Sequence, residues 1–320
     1  MLTTKHKRYY IPNDGATLWD RTFNRWFRSY RPVPSFPEDI QIQTITGCNA
    51  SCVFCPNGKT NNPFPSGKIE DWLYRKIVDE CITNRVKRIS PYLMNEPLRD
   101  RELGEKIKYV AEKKPVKTSI KLNSNASLLK EDVAEQILES GLDRLNISFH
   151  GISKKVYEKS MQGLSYENTL HNINTFLETK RKMNKVKPKV TITMVETELM
   201  KSERDKIRSY WNKRGVSIHI QPLENRAQRK IANRGLNLNE WQPYLWCKRL
   251  FTQAYILYNG DLVLCCVDWE RTTILGNVRE KSIAEVWNGK KALSIRKKFL
   301  SGTTEGLLCH SCLKQPRHTV

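Results

Sequence analysis

Cys48-Asn49-Ala50-Ser51-Cys52-Val53-Phe54-Cys55 sets three cysteines in the spacing C-x3-C-x2-C, and five more of the chain's nine fall in its last quarter. Three thiolates can each hold one iron of a cubane iron–sulfur cluster, which leaves the fourth iron without a protein ligand. An open iron can bind and activate a small molecule, whereas a fully ligated cluster only carries electrons. Plainer readings stand beside this one. Disulfides need an oxidising compartment, and the N-terminus, Met1-Leu-Thr-Thr-Lys-His-Lys-Arg8, lacks the apolar run of a signal peptide. Structural zinc favours paired C-x2-C knuckles or a Cys/His mix, and no histidine follows Cys55 until His150. Buried apolar cysteines are the third alternative.

A chain of 320 residues, 39% of them hydrophobic, can bury a full core and suits one large domain with a smaller one. No apolar stretch reaches the length that spans a bilayer. The expectation is a cytoplasmic protein with reduced thiols and no membrane partner. Lys and Arg total 55 against 33 Asp and Glu, a formal charge of +22. Such a field attracts anions: nucleic acid, acidic peptides, phosphorylated sugars or an acidic electron donor. The basic residues are dispersed (Lys180 to Lys189, Arg204 to Arg214, Arg226 to Arg234, Lys290 to Lys298) and no nucleic-acid motif accompanies them, so a solvated basic surface is the simpler reading.

Apolar or β-branched runs at Ile40–Thr46, Val86–Leu93, Thr118–Asn123, Arg144–Phe149, Val190–Val195 and Val216–Gln221 read as six strands. Helical patterns lie between them at Ile69–Thr83, Arg101–Lys113, Lys130–Ser140, Tyr166–Met183 and Ser202–Arg214. The first places Ile69, Trp72, Leu73, Ile77 and Val78 near one face, and Cys81 reads as core. The third follows an N-cap candidate, Ser127, and ends at Gly141. Alternating strands and helices predict a parallel sheet with right-handed crossovers, a partial (β/α)6 TIM-like barrel with its chemistry at the C-terminal strand ends. The cysteine triplet falls just after the first strand. The segment Tyr9–Glu38, with Trp19, Arg21, Phe23, Arg25, Trp26, Phe27 and Tyr30, is expected to pack across the open side of the barrel; a docking arm for peptide or nucleic acid is the alternative.

Over residues 40–225 the chain resembles the radical S-adenosylmethionine (SAM) superfamily. Phe54, just before the last cysteine, stands where the family places an aromatic near the adenine. Met94-Asn95-Glu96-Pro97 stands where the family has a Gly-Gly-Glu-Pro-like stretch whose backbone holds the methionyl amino group; Glu96 and Pro97 match, and the glycines are replaced. Asn123-Ser124-Asn125 takes the place of a Thr-Asn-Gly stretch, and Ser148 in Asn146-Ile-Ser-Phe-His150 that of a serine contacting the SAM ribose or carboxylate. Met194 and Val195 lie where the adenine meets the barrel edge. The resemblance implies a 4Fe–4S cluster on Cys48, Cys52 and Cys55 whose open iron chelates SAM. Its reductive cleavage gives a 5′-deoxyadenosyl radical that abstracts hydrogen from carbon. A reducing protein such as flavodoxin or ferredoxin would supply the electron.

Cys247, Cys265, Cys309 and Cys312 flank a predicted β-hairpin, Tyr255–Tyr258 and Leu262–Val267 about Asn259-Gly260, and a predicted helix at Ser282–Trp287. This resembles the SPASM or "twitch" extension of radical SAM enzymes and implies one auxiliary 4Fe–4S cluster on those four cysteines. A zinc ribbon is the alternative use of them. Members with two auxiliary clusters carry more cysteines. The domains are then an N-terminal extension over 1–38, the radical SAM barrel over 39–225 and the auxiliary-cluster domain over 226–320. Adjacent strand residues point oppositely, so Cys265 and Cys266 should not both ligate without distortion; the resemblance's spacing points to Cys265, with Cys266 the alternative ligand. Cys266 reads as a small buried hydrophobe or as a thiol hydrogen donor facing the cavity. Asp268, Trp269 and Glu270 are candidates for the cavity mouth or for a structural role.

The leading expectation is an oxidoreductase that abstracts hydrogen from a small sugar- or cyclitol-like molecule or a peptide, with the auxiliary cluster as electron acceptor. Candidates for the base are His150, Glu196, His219, Glu224 and Arg226. An epimerase or peptide maturase using Cys266 is the second expectation, and a zinc-bearing nucleic-acid-binding protein without catalysis the third.

Overall fold

The computed structural model describes residues 10–12, 30–57, 65–223 and 247–313. The expectations for Trp19 to Phe27, and for Glu224 and Arg226 as bases, lie outside the described residues, as does the expected boundary at 225/226. Strands β1 (Tyr10–Pro12) and β2 (Tyr30–Pro32) pair as an antiparallel ribbon. Six strands then pair side by side in chain order, all parallel: β3 (Asp39–Ile42), β4 (Arg88–Ser90), β5 (Ser119–Ser124), β6 (Arg144–Ser148), β7 (Lys189–Glu196) and β8 (Ser217–Pro222). Helices α1 (Asp71–Thr83), α2 (Leu103–Lys113), α3 (Glu131–Glu139), α4 (Lys154–Ser160), α5 (Tyr166–Lys182), α6 (Glu198–Lys201) and α7 (Arg204–Asn212) make the crossovers. This mixed α/β architecture with its largely parallel sheet matches the partial-barrel expectation.

Period-two alternation sorts the two faces of the sheet. Along β5, Ile120 and Leu122 are fully buried in the core, while Lys121 and Asn123 face the lumen on alternate positions. Helix α1 buries Leu73, Tyr74, Ile77, Val78 and Cys81, each large aliphatic side chain contributing about 2 kcal/mol. Trp72, read with that face, is instead 49% exposed beneath the Arg279 guanidinium. Ser127 is not a helix cap: α3 starts at Glu131, and Ser127 Oγ donates to Asn125 Oδ1 at 2.7 Å.

The first strand is shorter than its β-branched run. Thr44 and Thr46 exchange backbone bonds with Ile69 and Gly67, which turns the chain out of the sheet before the cysteines. On the other edge, α8 (Arg249–Thr252) leads into β9 (Gln253–Ile256), which pairs parallel to β3, so the sheet continues into the C-terminal region. Strands β10 (Asp261–Val263) and β11 (Ile274–Asn277) complete it antiparallel. The predicted hairpin is present, but β10 ends at Val263, and Leu264–Val267 bends away after a register shift at Leu262/Val263. Helices α9 (Ile283–Trp287), with a Ser282–Glu285 capping box, and α10 (Lys290–Leu300) cover this region. Among the described residues no helix is long and apolar enough to cross a membrane.

Candidate functional site

The loop after β3 is pinned by its backbone. Ser51 N–H donates to Gln162 O at 2.7 Å and Val53 N–H to Ser160 O at 3.0 Å, tying the cysteines to the end of α4. Val53 and Phe54 are buried against Val195, and Phe54 packs on the His150 ring at 4.4 Å. Cys48, Cys52 and Cys55 all line one cavity of about 330 Å³ at the C-terminal strand ends, together with Phe54. The Ala50 N–H donates to Cys48 Sγ at 3.4 Å and Asn125 Nδ2 reaches the same sulfur at 3.8 Å. Burial nevertheless pushes the Cys48 thiol up to about 11, so metal binding must drive its deprotonation.

Glu96 is the buried hub of the next strand end. Its Oε1 accepts from Ser124 Oγ at 2.7 Å and from Leu98 N–H at 3.1 Å, and its Oε2 from Asn125 N–H at 2.8 Å. Burial raises its pKa, opposed by these bonds. Glu96 N–H in turn donates to Gly47 O beside Cys48. Met94, in place of a glycine, holds φ +53, the left-handed region a glycine would occupy without strain. Asn95 Oδ1 accepts from Leu93 N–H, whereas its buried Nδ2 has no partner among the described residues.

Asn95, Glu96, Ser124 and Ser148 line the cavity with the thiols. Pro97 does not; it is buried at the start of a short 3-10 turn, Pro97–Arg99. Met194 is also displaced from its expected role: it is 1% exposed in the core, and its neighbour Val195 supplies the cavity wall. His150 lines the cavity, but its Nδ1 accepts the Val195 N–H at 3.0 Å. The neutral ring then carries its proton on Nε2 and has no free lone pair, which argues against a base and for a side chain that fixes Phe54 and β7. Glu196 pairs with Arg204 at 3.1 Å in a separate outer cleft.

Sequence reasoning passed over Lys121, Thr193 and Gln221, which form the polar floor of the lumen with Asn123 and Asn146 of the quoted stretches and the candidate base His219 beside them. Their signal is the period-two partner set of the buried Ile120, Leu122, Leu145, Ile147 and Ile192. Trp269 completes the wall from the C-terminal region.

The C-terminal cysteines draw together around α8 and the segment after β10. Cys247 and Cys309 pack on the Leu250, Phe251, Leu264, Ile295 and Phe299 cluster. A hydrogen bond with the Cys266 thiol and burial push the Cys265 thiol up, with Cys247 adding to the shift; burial pushes Cys309 up to about 12, with Cys247 and Cys312 adding to it. Cys266 stays with these thiols: it shares a hydrogen bond with Cys265 and acts on Cys247, while it packs on Leu93, Tyr255, Leu257 and Val263, with Arg249 Nη1 at 3.9 Å from its sulfur. Cys266 does not itself line the cavity, although its neighbours Tyr92 and Met94 do, and the chain turns at Cys266 and Val267 where a strand was predicted. Asp268, fully buried, accepts from Thr272 N–H, Thr272 Oγ and Thr273 N–H, and so holds this turn in shape.

Among the described residues no group of three or more His, Cys, Asp or Glu side chains converges on a point that could hold a single metal ion. Thiolates that each bind a different iron of a cluster need no such convergence. Three thiols on one cavity wall, an N–H donated to sulfur and the unpartnered Asn95 amide fit a cluster with a chelated polar ligand.

The comparisons with known proteins agree with this geometry. The family model described as Radical SAM superfamily matches residues 42–202, about half of the chain, and that of an iron–sulfur cluster-binding domain, SPASM, matches residues 247–313. The chain belongs to the radical SAM superfamily and carries a SPASM domain; it is a radical SAM iron–sulfur enzyme. It is similar to the S-adenosyl-L-methionine-dependent 2-deoxy-scyllo-inosamine dehydrogenase of Niallia circulans, 21% identical over 85% of this chain and 91% of the relative. A probable GTP 3′,8-cyclase of Saccharolobus solfataricus is 27% identical over 44% of each chain. Among solved structures, BtrN in complex with AdoMet and 2-DOIA superposes with a TM-score of 0.58 at 17% identity, covering 88% of this chain and 94% of that one. Streptococcus suis SuiB bound to precursor peptide SuiA gives 0.65 at 18%, covering 82% and 67%. At these identities the structures bear on the fold alone.

Proposed function

We propose that this enzyme oxidises a carbon of a small polar, sugar- or cyclitol-like substrate, with Cys48, Cys52 and Cys55 holding the SAM-binding 4Fe–4S cluster. Cys247, Cys265, Cys309 and Cys312 hold an auxiliary 4Fe–4S cluster as electron acceptor. The cluster and SAM supply, when bound, a carbon-centred radical that takes hydrogen from the substrate. The chain's own residues bind and orient. The backbone at Asn95–Glu96 receives the methionyl amino group, Ser124 and Ser148 the polar groups of SAM, and Phe54 and Val195 the adenine. Trp269 and the lumen walls exclude water and stray hydrogen donors. Barrel over 39–225 and auxiliary domain over 226–320 is the division this reading uses, and the +22 charge suits an acidic flavodoxin or ferredoxin as reductant.

The observation that carries the reading is the single cavity shared by the three thiols, the Glu96 hub and Trp269 of the SPASM region. The near full-length likeness to a SAM-dependent dehydrogenase supports oxidation over epimerisation, as does the placement of Cys266 outside the cavity wall. Likeness to a peptide-bound maturase makes a peptide substrate the second reading. Anaerobic turnover with candidate substrates tests it: a product lighter by two hydrogens with one SAM consumed supports oxidation. A product of unchanged mass carrying solvent deuterium would replace it with epimerisation.

A further inference from the structure

We infer that the substrate seats an anionic group, a carboxylate or a phosphate, in the barrel lumen against Lys121. The inference deepens the proposed function, since it names the chemistry of the molecule that enters the same cavity.

Lys121 lies on the lumen face of β5, between Ile120 and Leu122, which point into the core. Among the described residues its ammonium has no carboxylate within 4 Å and no hydrogen-bond acceptor, although it lines a cavity. The charged groups acting on it from neighbouring strands are Arg88 on β4, Arg144 on β6 and Asp39 on β3. The acid is already engaged, with Asp39 Oδ2 3.4 Å from Arg88 Nη2. Two further cations against one carboxylate leave the floor of the lumen positive. Glu96 lines the cavity too, but both its oxygens are bonded to Ser124, Leu98 and Asn125.

A charge in a low-dielectric lumen without a counterion is unfavourable unless a ligand supplies one. An anion supplies that counterion, and a cationic or purely aliphatic substrate does not. Burial and Arg88 lower the Lys121 pKa to about 8, so the ammonium still holds its proton at neutral pH.

The test is equilibrium binding of two probes, inorganic phosphate and acetate, to full-length protein reconstituted anaerobically and loaded with SAM. At least one probe is expected to bind saturably, and the tighter of the two tells phosphate from carboxylate. Lys121→Met is expected to weaken it at least about tenfold, while Lys121→Arg retains most of the affinity. Lys121→Met should melt no lower than wild type. A lower melting point, equal binding by Lys121→Met, no binding of either probe, or loss of probe binding once SAM is present would each overturn the inference. The last would put the SAM carboxylate itself on Lys121. None of these measurements needs turnover, so their failure is distinct from a failure to oxidise substrate.

Discussion

Ser124 Oγ donates to Glu96 Oε1 at 2.7 Å, across the ends of two adjacent strands and wholly out of solvent. That bond, with the Asn125 and Leu98 N–H groups on the same carboxylate, locks the loop after β4 to the end of β5. Both segments abut the Cys48 loop, through Asn125 Nδ2 to Cys48 Sγ and Glu96 N–H to Gly47 O, so their relative position shapes the cavity that the thiols line.

Glu96→Ala strands three donors in a buried site. A loss of about 2–4 kcal/mol is expected in chemical denaturation, together with weaker SAM binding. Wild-type stability in the variant would show that the carboxylate organises nothing.

Met94 is the strained position in the same loop, since an L side chain at φ +53 costs about 1 kcal/mol that glycine does not. Met94→Gly is therefore expected to hold or raise stability, and Met94→Ile to lower it by more than 1 kcal/mol, roughly, because a β-branched side chain crowds the left-handed region most. Denaturant midpoints on the two variants decide it; the reverse order would contradict the assigned strain.

Lys121 makes stability depend on alkaline pH. Its folded pKa of about 8 lies below the ordinary 10.5, so at neutral pH both folded and unfolded chains are protonated and the full penalty of the buried charge is present. As pH rises from about 8 to 10.5 the folded protein sheds this proton first, and the penalty fades. Lys121→Met should thus be more stable than wild type at pH 7, by on the order of 3 kcal/mol at most, with the gap closing by pH 10.5. A gap that widens with pH would contradict the sign.

Asp268 holds the turn carrying Cys265, Cys266 and Trp269. On the proposed reading of two clusters, Asp268→Ala is expected to halve the iron retained after reconstitution, roughly, by loosening the auxiliary one. Full iron content in this variant would separate the turn from cluster binding.

The architecture was largely legible because the apolar period shifts cleanly between strand and helix, and all six expected barrel strands have counterparts within the expected runs or a residue beyond them. What escaped depends on tertiary placement. Met194 and Val195 differ only by which side of β7 meets the cavity, and a pattern of apolar letters does not say so. Lys121 reads in isolation as a solvent-facing lysine; the period of two sets it opposite Ile120 and Leu122 but does not say that this face lines a cavity. Cys266 was placed on a strand that ends at Val263, and Asp268, which stabilises the turn there, acts through bonds to residues four and five positions on. The continuity of β9 with β3 joins segments more than two hundred residues apart, beyond any local pattern.

The most direct test is the formation of 5′-deoxyadenosine from SAM by anaerobically reconstituted, reduced protein, with iron measured on the same samples. Wild type is expected to be iron-loaded, brown and to release 5′-deoxyadenosine. A Cys48→Ala/Cys52→Ala/Cys55→Ala variant should lose roughly half the iron and all of that product. A triple variant that kept its full iron, or a wild-type protein that was colourless and zinc-loaded, would contradict the assignment of Cys48, Cys52 and Cys55 to the SAM-binding cluster.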